Sequence, residues 1–206
     1  MDDGAGAAEP EWVPQDGVGT PDGFARLWTP HRLAYIKDAV DSGCPFCRIA
    51  AGAAAGDAAG DAGPGSENPD EDNLVVARGR EVFALLNLHP YNPGHLMVLP
   101  YRHVAELEDL TDSEASELMA FTRSAVVTMK KVAAPHAFNV GLNLGTVAGG
   151  SLAEHLHQHV VPRWGGDANF IAVVGQTKVI PQLLAETRAQ LAAAWEPPHR
   201  DGAVPD

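Results

Sequence analysis

Basic charge is scarce in this chain of 206 residues: 14 lysines and arginines stand against 27 aspartates and glutamates, for a net charge of −13. That balance argues against a nucleic-acid surface and against docking on an anionic membrane. A nucleotide site stays open, because a local pocket field outweighs the global sum. Long apolar runs are also missing, none approaching the ~20 residues that span a bilayer. The start, Met1-Asp2-Asp3, lacks the charged-then-apolar pattern of a signal peptide, so a cytoplasmic location is expected. Neither an internal repeat nor a divalent-cation motif is visible. Cysteine amounts to two residues, yet both lie in Cys44-Pro45-Phe46-Cys47.

What is present suffices for one folded domain, with 45% hydrophobic residues to fill a core. Residues 1–22 are rich in Gly, Ala, Pro and Asp and read as a disordered tail; residues 51–72 form a second such tract, a flexible insertion in a domain spanning 23–196. Residues 197–206 read as a C-terminal tail. Thr29-Pro30 suits a helix start, with Leu33, Ile36 and Val40 on one side.

From residue 74 the pattern is that of a sheet. Leu74–Ala77 and Val82–Leu86, separated by Arg78-Gly79-Arg80, suit a hairpin, and Leu96–Leu99 follows a loop marked by Pro90, Pro93 and Gly94. Thr111-Asp112-Ser113-Glu114 is a capping box, and Ala115, Leu118, Met119, Thr122, Val126 and Met129 carry the helical period on toward Pro135. Phe138, Val140, Leu142 and Leu144 alternate with Asn139, Gly141, Asn143 and Gly145, which predicts a strand burying one face and presenting two amides on the other. Pro181 starts a final helix with Leu183, Leu184, Thr187, Leu191 and Trp195 near one stripe. The fold class is α+β, an antiparallel sheet with a long core helix and a C-terminal helix.

Chemistry concentrates at His155-Leu156-His157-Gln158-His159, followed by Val160-Val161-Pro162-Arg163. In an extended strand, side chains at i, i+2 and i+4 share a face, so three imidazoles would stand in a row. A neutral imidazole can attack phosphorus while a neighbour protonates the leaving group. An exposed His-rich patch is the alternative. Cys44 and Cys47 could be a redox pair, two unrelated thiols, or half of a zinc site; zinc is favoured because histidines exist to complete it.

The His-x-His-x-His run, with Leu156, Val160 and Val161 at apolar positions, resembles the signature of the histidine triad family; Gln158 departs from it. Runs such as LNLHPYNPGHLMVLPYRHVAELEDLT and FNVGLNLGTVAGGSLAEHLHQHVVPRWGGDANF are similar to its actinobacterial diadenosine tetraphosphate phosphorylases. The resemblance implies the histidine triad fold and a nucleotidyltransferase forming ATP and ADP from diadenosine tetraphosphate and orthophosphate. A hydrolase of dinucleoside polyphosphates or nucleoside phosphoramidates, and a non-catalytic nucleotide binder, are the alternatives. It makes His157 the nucleophile, flanked by His155 and His159. Asn87 would hold the ribose, Phe83 and Leu88 the adenine, Asn143 with Gly149, Gly150 and Ser151 the phosphates, and Trp164 a wall of the site. A structural zinc would sit on Cys44, Cys47, His103 and His155. Magnesium would arrive with the substrate, and a homodimer or higher homo-oligomer is expected, with no nucleic acid or membrane as partner.

Overall fold

A computed structural model describes residues 43–52, 68–148, 152–167 and 182–198. The expected tails, the helix opened by Thr29-Pro30 and most of the expected insertion lie outside these residues. Of the insertion, 51–52 follow helix α1 (Pro45–Ala50), and Asn68 caps a single turn, α2 (Pro69–Asp72), by accepting the Asp70 N–H.

Five strands follow: β1 (Val75–Arg78), β2 (Val82–Leu86), β3 (Leu96–Pro100), β4 (Ala137–Leu142) and β5 (Gln158–Arg163). They form one sheet in the order β1-β2-β3-β5-β4, with every neighbouring pair antiparallel. The expected hairpin is present, closed by the Gly79 N–H on Val82 O. Strands β2 and β3 are buried on both faces, which is why their sequences read as unbroken apolar runs. One face carries Val82, Ala84, Leu86, Leu96, Val98 and Val160 against helices α3 (Asp112–Ala133) and α4 (Leu184–Ala194). The opposite face carries Val75, Phe83, Leu85, Met97 and Leu99 under Phe46 of α1. Gly94 joins the turn to β3 at φ +74, where a Cβ would meet the Met129 methyl at 2.9 Å.

The capping box forms as expected. Thr111 Oγ1 accepts the Glu114 N–H at 3.1 Å, and the Glu114 carboxylate accepts the Thr111 N–H at 2.8 Å. Helix α3 ends at Ala133, before the left-handed Ala134 and Pro135. Leu118, Thr122 and Met129 are buried and Val126 packs partly buried on the core, as expected, while Ala115 and Met119 face outward and Phe121 and Ala125 join the buried stripe. Phe121 and Ala125 fill the turns between the anticipated positions.

Two expectations about apolar faces are corrected. In β4 and its extension, Val140 is 48% and Leu144 39% exposed, because β4 is the sheet edge and α3 packs chiefly over β2, β3 and β5. Alternation reports which residues share a face, not whether anything covers it. The last helix begins at Leu184 with Leu183 exposed; Thr187 and Leu191 are its buried residues, and Trp195 packs on Phe121 with ring centroids 5.5 Å apart. Among the described residues, no helix is long and apolar enough to cross a membrane.

Candidate active site and metal centre

The expected row of three imidazoles is split by its backbone. Strand β5 opens at Gln158, and the Leu156 N–H is taken by Val104 O at 2.6 Å, outside the β3 ladder. His155 therefore turns away. Its Nε2–H donates to Pro100 O at 2.9 Å, leaving the Nδ1 lone pair facing the Cys44 and Cys47 sulfurs at 3.4 and 3.6 Å. His157 and His159 stay together, with ring centroids 4.9 Å apart.

His157 is buried, and its Nδ1–H donates to His155 O at 2.8 Å. That bond fixes the tautomer and leaves the Nε2 lone pair for attack. Burial holds the imidazoles of both His155 and His157 below the usual histidine value, so both are neutral at pH 7. Phe46 covers them, its centroid 5.4 Å from each ring. Behind the strand, Gln158 is buried and donates to Thr122 Oγ1 at 2.6 Å, which in turn donates to Leu118 O. The departure from the apolar pattern is thus met by a matching polar residue on α3.

A fourth histidine, unassigned by the sequence reading, completes the proton arrangement. His95 is fully buried at the entrance to β3. Its Nδ1 receives the Tyr91 N–H at 3.1 Å and lies 3.5 Å from the Asn87 amide nitrogen, whose orientation is set by Asn87 Oδ1 accepting the His89 N–H. The neutral His95 ring therefore carries its proton on Nε2, 2.9 Å from His159 Nδ1. His159 accepts there at Nδ1, which puts its own proton on Nε2. The Asn143 amide nitrogen stands 3.4 Å from that atom and is itself a donor, so in this tautomer the amide turns its oxygen to the ring to accept the proton's hydrogen bond. A directed proton donor results. The signal for His95 was only its place after Pro93-Gly94 at the start of an apolar strand, and that reads equally well as a turn residue.

The cysteine pair joins His103 and His155 in one cluster, with all four ligand atoms within 4.8 Å of one another. Cys44 caps α1 and Cys47 follows one turn later on the same side. Cys47 Sγ lies 3.2 Å from His103 Nδ1. Sulfur and nitrogen at tetrahedral zinc, with bonds near 2.3 and 2.0 Å, stand about 3.5 Å apart, so the set has the right size. Burial, and the neighbouring Cys44, push the Cys47 thiol up to about 11; a cation among the sulfurs is what would favour their thiolate forms. The turn bearing His103 is tied to α3, since Arg102 donates to both Glu114 oxygens at 3.0 and 2.7 Å and to Asp109 O.

The remaining predicted residues divide. Asn143, expected to hold the phosphates, has its amide beside His159 and lines a cavity there. Phe83 is fully buried and stacked on Tyr101 at 5.1 Å, so neither ring face is open to a base in this arrangement, while Leu88 is 65% exposed on the turn. Trp164 donates from Nε1 to Ala133 O, which anchors it at the end of α3. Gly149, Gly150 and Ser151 lie outside the described residues. A cavity of about 520 Å³ opens beside His159, lined by Tyr91, Asn139, Gly141, Asn143 and Arg163 among others; Trp164 does not line it.

Comparison with known proteins places this geometry. A family model described as "HIT domain" matches residues 68–166. A Mycobacterium tuberculosis protein named AP-4-A phosphorylase is 58% identical over 192 residues, covering 92% of this chain and 93% of that one. The Schizosaccharomyces pombe asymmetrical bis(5'-nucleosyl)-tetraphosphatase is 39% identical over 93 residues, 45% of this chain and 50% of that one. Among solved structures, a zinc-bound histidine triad family protein from Mycobacterium smegmatis shares the fold, at TM-score 0.55 and 23% identity over 74% of this chain and 92% of that one. With the triad in place, and 58% identity to one relative along nearly the whole of both chains, this chain belongs to the histidine triad (HIT) family.

Proposed function

We propose that this protein is a phosphorylase that converts diadenosine tetraphosphate and orthophosphate to ATP and ADP through a nucleotidyl-histidine intermediate. The likeness to the AP-4-A phosphorylase, 58% over nearly its full length, carries the reading, and the geometry supplies the parts. Nε2 of His157 attacks a terminal α-phosphorus; the bond to the bridging oxygen breaks, and ATP departs with the proton from His159 Nε2. Asn143, with Gly149, Gly150 and Ser151, steadies the equatorial oxygens. Phosphate then attacks the same phosphorus, frees His157 and leaves as ADP. Asn87 orients the ribose.

Zinc is the ion proposed for Cys44, Cys47, His103 and His155, which together fill four positions and leave none for a reacting water. It ties α1 to the triad segment. Magnesium enters with the tetraphosphate. A cytoplasmic location is proposed as well, as it fits a nucleotide substrate. A homodimer or higher homo-oligomer is the assembly proposed.

Separating the nucleotides formed from diadenosine tetraphosphate, with and without phosphate, tests the function. The expected result is ATP and ADP, dependent on phosphate and lost in His157→Ala. Formation of ATP and AMP at an undiminished rate without phosphate would make the protein a hydrolase instead.

A further inference from the structure

The cavity of about 520 Å³ beside His159 is a built feature that the attack by His157 does not itself require. In a displacement at phosphorus the nucleophile and the leaving oxygen lie roughly in line on opposite sides. The proton for the leaving oxygen comes from His159 Nε2, so the departing group lies on the His159 side. His159 lines this cavity and His157 does not. From His159 the lining continues along β4 and β5 to Asn139 and Arg163, with Tyr91 beside it. The volume falls within the range usual for sites that take a small organic ligand, ~300–1,000 Å³.

Its lining suits a nucleoside polyphosphate. The Tyr91 ring is 40% exposed and stands with its centroid 6.0 Å from the His159 ring, an aromatic surface next to the donor. Asn139 Oδ1 accepts from Arg163 Nη1 at 2.8 Å, so its two N–H bonds are directed elsewhere and remain as donors for phosphate oxygens. Arg163 is held by Asp167 through two contacts, at 2.6 and 3.0 Å, which keep its guanidinium in place at the far end.

We infer that this cavity is the subsite for the departing nucleoside triphosphate, with Tyr91 as the wall on which it packs and Asn139 as a phosphate donor. The inference rests on the proposed phosphorylase reading for the identity of the leaving group. Tyr91 and Asn139 would then set the preference for long leaving groups over short ones.

Two measurements on the full chain test it. The first compares kcat/KM for diadenosine tetraphosphate and for adenosine 5'-phosphoramidate, whose leaving group is ammonia. In Tyr91→Ala and in Asn139→Asp, the value for the tetraphosphate should fall at least tenfold more than that for the phosphoramidate. Equal losses on both substrates, or none, would overturn the subsite. The second needs no turnover: ATP and AMP are titrated separately onto the wild type and both variants by calorimetry. The Kd for ATP should rise at least fivefold more than that for AMP, and unchanged ATP affinity would overturn the inference. A wild type that does not cleave diadenosine tetraphosphate, with ATP affinity shifting as expected, would overturn the phosphorylase reading and keep the subsite.

Discussion

Because the Tyr91 N–H and the Asn87 amide both face Nδ1 of His95, that ring delivers its proton to His159 and leaves the His159 proton on the site-facing nitrogen. His95 is thus a positioning residue, acting through His159. His159→Ala should lower kcat by about 10²–10⁴, the usual worth of general acid help. His95→Leu should lower it by about 10–100, as loss of a supporting hydrogen bond commonly does. His95→Gln, whose amide can donate at the same distance, should recover most of that loss with KM unmoved; steady-state kinetics of the three variants decides. If His95→Gln is as impaired as His95→Leu, the relay is wrong. The nearness of His157 to His159, and the gathering of Cys44, Cys47, His103 and His155, were legible from spacing and resemblance. His95 was not, because only the folded turn shows that its Nδ1 is already occupied.

At the level of elements, two contacts between α3 and its surroundings hold the site. Gln158 on β5 and Thr122 on α3 satisfy each other inside the core. Thr122→Val should therefore cost about 1–3 kcal/mol in denaturant unfolding by leaving the Gln158 amide buried without its partner, and adding Gln158→Met should restore much of the loss. A fully additive double variant would contradict the pairing. The second contact is Glu114, which closes the capping box and grips Arg102 beside His103. Hydrogen bonds from Arg102 first, opposed by burial and aided by Thr111, lower its carboxyl from the ordinary 4.5 to about 2. The folded value is the lower one, so the stabilisation is complete above about pH 4.5 and is lost as pH falls through about 2. Glu114→Gln should cost about 1–2 kcal/mol at pH 7, and its Tm gap from the wild type should close between those two values. A gap that is constant with pH would refute the ion-pair account. The capping box was readable as four consecutive residues, and β2 and β3 as apolar runs. The openness of β4 was not, since the edge position depends on which strand β5 chooses as neighbour. One flank of the α3 stripe was misplaced for a similar reason, as Met119 and Phe121 are both apolar and only packing selects between them.

For the molecule as a whole, the cluster of Cys44, Cys47, His103 and His155 joins segments distant in sequence: α1, the turn after β3 and the triad segment. Protein purified without chelator should carry about one zinc per chain by elemental analysis, and Cys44→Ser should lose it and melt at lower temperature. A stable wild type without metal would remove the structural role given to His155. The same scale decides the function, because attack by His157 is common to a phosphorylase and a hydrolase, and only the second acceptor separates them. The most direct measurement supplies diadenosine tetraphosphate with isotopically labelled orthophosphate and locates the label in the products. The account predicts label in the β-phosphate of ADP and none in ATP; AMP formed in place of ADP, with the label left in free phosphate, would contradict it.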